Sequence, residues 1–181
     1  MERVLFVLGL LEDEDVDWLV SSGRRQEIAP QEVLIQESQS LTAIYLILSG
    51  QFGVSLERSP EATIARLYSG EVVGEMSFID YLPPSATVTA IEPSIVLAID
   101  RDQLNQKLSQ DLGFACRWYQ ALAMLLSIRL RGAVQNFEAE LWEPVALDKR
   151  KLPAEMSDSM KLGEIRFDWL MRRLRDTDVS G

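Results

Sequence analysis

The chain has 181 residues, of which 47% are hydrophobic and 25% charged, a balance that suits one globular domain with an appendage. It has no histidine and one cysteine, Cys116. That excludes an imidazole-based metal site, a Ser-His-Asp triad, an intrachain disulfide and a cysteine-held cluster, and it points to a reducing, cytoplasmic setting. Formal net charge is −10, and from Glu143 onward basic and acidic residues number 8 each, so the whole acidic excess lies before it. An acidic main domain disfavours DNA and anionic lipid as partners.

Taken in chain order, Met1 to about Ser22 reads as helical, with Asp15 capping a segment that carries Val16, Leu19 and Val20. The apolar run Val4–Leu11 leads into Glu12-Asp13-Glu14-Asp15 without a small-residue cleavage site, so no leader is expected. The acidic run itself reads as a solvated helix start. From Arg25 to Asp100 the pattern changes to short β-runs: Gln26–Ile28, Glu32–Gln36, Ala43–Leu48, Gln51–Ser55, Ala62–Leu67, Ala86–Ile91 and Ser94–Ile99. Ser49-Gly50 and Ser69-Gly70 mark tight turns. Many short strands with regular turns predict a barrel or sandwich. The runs Ala43–Leu48 and Ala121–Leu126 are too short to cross a bilayer, so no membrane association is expected.

A helical zone begins near Arg101, and Asp111 opens a long helix through Phe137. Phe114, Trp118, Ala121, Leu125 and Ile128 form one apolar line, and Tyr119, Leu122, Leu126, Leu130 and Ala133 a second. Arg117, Gln120, Ser127 and Arg131 form the polar face. Two apolar lines need two surfaces. One is the β-domain; the other is the same helix of a second chain, or both lines form one broad core-facing stripe in a monomer. In the middle of this helix Cys116 reads as buried, inert packing. After Pro144 and Pro153, Met160 to Arg175 reads as a short amphipathic helix with Leu162, Ile165, Trp169 and Leu170 facing the body and Arg172, Arg173 and Arg175 in its last turns. It serves either as a docking helix for a partner protein or as a tail packed on its own dimer. Residues 1–137 thus form one unit and residues 138–181 a helical tail.

The most informative stretch is Leu67-Tyr68-Ser69-Gly70-Glu71-Val72-Val73-Gly74-Glu75-Met76-Ser77-Phe78, continuing Ile79-Asp80-Tyr81-Leu82-Pro83-Pro84-Ser85-Ala86-Thr87-Val88-Thr89-Ala90. It resembles the phosphate-binding cassette of the cyclic-nucleotide-binding domain family. Upstream, Glu32–Glu37 and Ala43–Gly50 resemble the early strands and turn of the same family, and the likeness runs from about Leu11 to Val134. The resemblance implies a mainly β fold with flanking helices: a double-stranded β-helix of the jelly-roll type, a long C-terminal dimerisation helix and a short helical tail. It also implies a ligand site at Gly74, Glu75, Met76, Ser77, Ser85 and Ala86. There Glu75 would accept from a ribose hydroxyl, and Ser85 and Ala86 would donate to a phosphate.

One departure matters. Where the family has an arginine, this chain has Pro84. Arginine is the bidentate, permanently charged partner of phosphate, and losing such a partner costs about 2–5 kcal/mol. Proline also lacks an N–H. Ile79 to Thr89 contains no Lys or Arg; Arg58, Arg66 or Arg117 is the candidate stand-in. No DNA-binding domain is expected in the tail, and no acid/base pair, nucleophile elbow or P-loop emerges. The expectation is a non-enzymatic regulatory module without cofactor or metal, binding a cyclic nucleotide or another small ligand and signalling through a homodimer helix. The alternative is a degenerate, ligand-free interaction scaffold.

Overall fold

The computed structural model describes residues 5–135 and 154–178. In chain order the elements are α1 (Leu5–Leu10), α2 (Asp13–Ser22), β1 (Arg24–Ile28), β2 (Val33–Ile35), β3 (Ala43–Ser49), β4 (Gln51–Ser55), β5 (Ala65–Tyr68), β6 (Val72–Val73) and α3 (Glu75–Asp80). There follow β7 (Thr87–Ala90), β8 (Ser94–Asp100), α4 (Arg101–Gln110), α5 (Leu112–Gln135) and α6 (Ala154–Asp178). The strands form two antiparallel sheets, in the orders β1-β8-β3-β6 and β2-β7-β4-β5. This is the jelly-roll type expected, as two facing sheets that do not close into a ring.

Period-two alternation explains the layering. Along β3, Ile44, Leu46 and Leu48 join the core beneath the helices, whereas Ile47 joins the core between the sheets. Similarly, in β8 Leu97 and Ile99 face the helices and Val96 faces the second sheet, where Phe52, Leu67, Val88 and Ala90 meet it. Strands covered on both sides need apolar residues at every position, which is why Ala43–Leu48 is a continuous apolar run. The short β6 pairs with β3 through Tyr45–Val73 and Leu46–Val72. Two residues carry too little pattern for a sequence reading to find it.

The acidic N-terminal run starts α2, and Glu12, Asp13 and Glu14 are exposed as expected of a solvated helix start; Asp15 is the exception. Glu12 is the N-cap of α2, and Asp15, three residues on, accepts from the Glu12 backbone N–H at 2.7 Å. This is the returning half of a capping box. Asp15 is buried, and Arg117 of α5 grips it bidentately, Nε at 2.7 Å and Nη2 at 2.9 Å. Arg117 therefore belongs to an interior contact and not to the polar face. The Asp15 hydrogen bond outweighs partial burial and holds the guanidinium pKa above its ordinary value.

In α5 the first apolar line is buried as expected: Phe114, Trp118, Ala121, Leu125 and Ile128. Leu122, assigned to the second line, is also buried. Leu126 of that line is half-buried and the rest is open: Tyr119 is 46% and Leu130 66% exposed, and Ala133 is exposed as well. Cys116 is exposed in this chain, not buried. The helix start is fixed by Asp111, whose side chain accepts from the Phe114 N–H at 2.9 Å and from Lys107 at 2.8 Å. Both bonds favour the ionised carboxyl and lower its pKa. The expected end at Phe137, and Pro144 and Pro153, lie outside the described residues.

Helix α6 is longer than the expected Met160–Arg175 and packs on α1 and α2 of its own chain. Its inward face is Met160, Gly163, Phe167, Leu170 and Leu174. Leu162 and Ile165, expected to face the body, are exposed. Leu170 is buried and Trp169 half-buried, as expected, and Gly163 and Phe167 take the inward positions beside Leu162 and Ile165. Where α6 crosses α1, a Cβ on Gly9 would stand 1.9 Å from the Ser159 carbonyl oxygen, so only glycine fits. Arg166 donates to the last carbonyls of α1, Leu8 at 3.1 Å, Gly9 at 3.3 Å and Leu11, and pairs with Asp13 at 2.8 Å. It thereby supplies partners for acceptors that a helix end leaves open.

The Asp15–Arg117 contact sets an expectation for stability. Asp15→Ala removes the cap and leaves a half-buried guanidinium without its main partner. A loss of about 2–3 kcal/mol is expected, below the usual figure for a fully buried pair because Arg117 keeps some water. Thermal unfolding should show the melting temperature falling by roughly 5–10 °C; an unchanged melt would remove this contact from the fold's main supports.

Candidate functional site

β6 ends at Val73, and Gly74 turns the chain into α3 with φ of 87°. Only glycine takes this conformation freely, and a Cβ here would stand 2.7 Å from a Leu41 methyl. The turn brings Glu75, Met76 and Ser77 beside the loop Leu82–Ala86 that leads into β7. That loop is tied down by the Ser38 N–H, which donates to the Pro84 carbonyl at 2.9 Å. Its approach is steadied at Tyr81, which caps α3 in the left-handed region and lies under the Arg101 guanidinium, 4.6 Å from the ring centre.

Between these segments lies a cavity of about 390 Å³, within the size range of small-ligand sites. Every residue that the sequence singled out lines it: Gly74, Glu75, Met76, Ser77, Pro84, Ser85 and Ala86. Its walls are otherwise mostly apolar, from Ile35, Val54, Leu67, Val73, Leu82 and Val88. Met76 and Leu82 are exposed at its rim, whereas Glu75 and Ser77 are buried.

A cation does enter the cavity wall, but none of Arg58, Arg66 and Arg117 is that cation. It is Arg129 of α5. Arg129 Nη1 donates to Glu75 Oε1, and Nη2 donates to the Val72 carbonyl at 2.8 Å and to Glu71 Oε2 at 3.4 Å. Glu71 is itself buried and accepts from the Tyr68 N–H at 3.4 Å. Burial opposes the charge on Arg129, yet attraction from Glu75 and Glu71 outweighs it and holds the pKa above the ordinary guanidinium value. The Arg129 Nε is buried without an acceptor, and a donor left so costs about 1–3 kcal/mol. Three charges thus bind strand end, cassette helix and long helix together, with one acid in excess.

The sequence carried a signal for Arg129 that pattern reading passed over. Arg129 follows the buried Ile128 and stands four residues after the buried Leu125, so it borders the apolar line. A charged residue bordering such a line needs a buried partner, and the acidic pair Glu71 and Glu75 was available. Among the described residues no group of histidine, cysteine or acidic side chains is placed to hold a metal ion, and no helix is long and apolar enough to cross a membrane.

Comparisons with known proteins agree with this geometry. Residues 25–111 match the family model described as cyclic nucleotide-binding domain. The chain is similar to a cGMP-dependent protein kinase of Eimeria tenella, 31% identical over 83 residues, 46% of this chain and 8% of that protein. It is also similar to the Pycsar effector protein PaPycTIR of Pseudomonas aeruginosa, 38% identical over 82 residues, 45% of this chain and 26% of that protein. The chain therefore spans about a quarter or less of the length of these curated relatives. Among solved structures, a cyclic nucleotide-binding domain from Methylobacillus flagellatus KT superposes with a TM-score of 0.68 at 25% identity, covering 80% of this chain and 86% of that one. The glycine turn, the short helix and the loop into β7 sit within the matched segment and the long following helix beside it, and residues 25–111, just under half of the chain, carry the match to the cyclic nucleotide-binding domain.

Proposed function

We propose that this protein is a non-enzymatic regulatory module. A cyclic nucleotide or related small ligand enters the cavity, and its occupancy is passed to α5, through which two copies pair. The observation that carries this reading is Arg129. It is a residue of the long helix, yet its charge is neutralised by Glu75 of the cassette helix and by Glu71 beside it. A ligand that engages Glu75 shares its carboxylate with Arg129, so filling the cavity changes the force on α5. The unsatisfied Arg129 Nε leaves the helix a reason to resettle when new acceptors arrive.

Pairing through α5 is supported by its outer face. Leu112, Cys116, Tyr119, Ala123, Leu126, Leu130 and Ala133 recur at alternating steps of four and three, the spacing of a coiled-coil seam. All are exposed except the half-buried Leu126. In one chain this is a continuous apolar stripe, which a second copy would cover. A partner protein could reach the exposed Leu162 and Ile165 of α6. The single cysteine fits a cytoplasmic location. Pro84 favours the second reading, in which the fold is kept as a scaffold and the cavity takes no ligand.

Two measurements separate these readings. In the ligand arm, thermal unfolding is followed with millimolar ribonucleosides and their 3′,5′-cyclic monophosphates. A true ligand at a hundredfold excess over its Kd stabilises the fold by about 2.7 kcal/mol, a rise of roughly 5–10 °C. No shift with any compound would favour the scaffold. In the pairing arm, sedimentation should find the wild-type chain dimeric and Leu130→Glu monomeric, with little change in secondary structure. A monomeric wild type at micromolar concentration would sink the pairing.

A further inference from the structure

The cavity's ligand can be narrowed by charge, an inference that rests on the ligand-binding reading above. At the position where a phosphate would meet arginine stands Pro84, which offers neither charge nor N–H. The charged groups in the wall are Glu75, Asp80 and Arg129, one cation against two acids, with buried Glu71 behind them as a third. Arg129 is not free to receive an anion. Both of its terminal nitrogens are held by Glu75, Glu71 and the Val72 carbonyl. Three of its five N–H groups are used in this way, and the Nε–H is buried. A phosphate monoanion entering this space would meet net negative charge across a low-dielectric wall, where repulsion is strongest.

What the wall does offer is different. Ile35, Val54, Leu67, Val73, Leu82 and Val88 present apolar surface suited to a flat ring. Glu75 uses Oε1 for Arg129, and its Oε2 has no protein donor among the described residues. A carboxylate oxygen at the edge of an apolar cavity favours a neutral hydroxyl donor, because that hydrogen bond is charge-assisted. We propose that the cavity selects an uncharged, hydroxyl-bearing ring compound of the ribonucleoside type over the corresponding cyclic monophosphate.

Calorimetric titration of the full chain with adenosine, guanosine, cytidine and uridine, each paired with its 3′,5′-cyclic monophosphate, tests this directly. At least one nucleoside should bind at least about tenfold more tightly than its cyclic monophosphate. In Pro84→Arg the preference should reverse: the cyclic monophosphate gains about 30-fold or more, as expected for a restored charged hydrogen-bond partner. Nucleoside affinity should stay within about threefold, because the new group addresses only the phosphate. If the wild-type chain binds a cyclic monophosphate as tightly as its nucleoside, the charge selection is overturned and ligand binding itself stands. If the wild type binds neither but Pro84→Arg binds a cyclic monophosphate, the cavity is sound and the nucleoside proposal falls. If neither protein binds either class, the ligand-binding reading falls with it. The wild-type ratio decides the question even if Pro84→Arg fails to fold.

Discussion

Glu71 and Glu75 are buried within reach of a single guanidinium, that of Arg129, and the placement of the long helix depends on them. Removing two carboxylates from water is costly, and one arginine offsets that cost only when it is close and well bonded. Such a cluster adds little net stability compared with an apolar core. Its value lies in specificity: α5 can sit at only one height along the β-domain, because a shift of one turn would leave two acids unpaired in the interior. A buried polar group acting as a register device is the best-attested use of such contacts.

The same helix is held at its other end by a second interior pair. Near the start of α5, Arg117 binds Asp15 of α2; near its end, Arg129 binds the cassette. The two anchors differ in balance. Asp15 and Arg117 are matched in charge and complete a helix cap, whereas the Arg129 cluster keeps an excess acid and an unsatisfied N–H. The first anchor is suited to permanence and the second to change. Between them, the apolar line from Phe114 to Ile128 covers one face of β3 and β8. In the proposed function, the first anchor keeps the helix docked while the second answers to the cavity.

Much of this was legible in the residues. Short apolar runs bounded by turn residues marked the longer strands, and the gap-free run from Gly74 to Ala86 placed the cassette. The structure brings all of its singled-out positions to one cavity. Legibility failed where a feature is short or depends on distant partners. β6 is two residues long. Asp15 reads as a surface acid until Arg117, 102 positions away, is placed beside it. Arg129 reads as one more polar helix residue until the acids facing it are known. In α6, large apolar residues do mark the inward face at Met160, Phe167, Leu170 and Leu174, but Leu162 and Ile165 lie off it, and the close approach to Gly9 of α1 that sets the crossing involves residues far apart in the chain. Cys116 was misread for the opposite reason: its neighbours are apolar, yet they lie on the open face of α5.

The crossing of α1 and α6 also bears on the order of assembly. Arg166 bonds to carbonyls as far as 158 positions away in the chain, so these contacts close a loop that takes in the whole β-domain. The entropic cost of such closure grows only slowly with loop length, and the finished crossing is no weaker for its span. Contacts of this separation are reached late, however, since the search for them comes before any reward. The crossing thus ties the N-terminal helices to α6 across the whole β-domain, as an extensive helix contact. None of its anchoring groups, Gly9, Asp13 and Arg166, lines the cavity, so this closure and the cavity are built from separate residues.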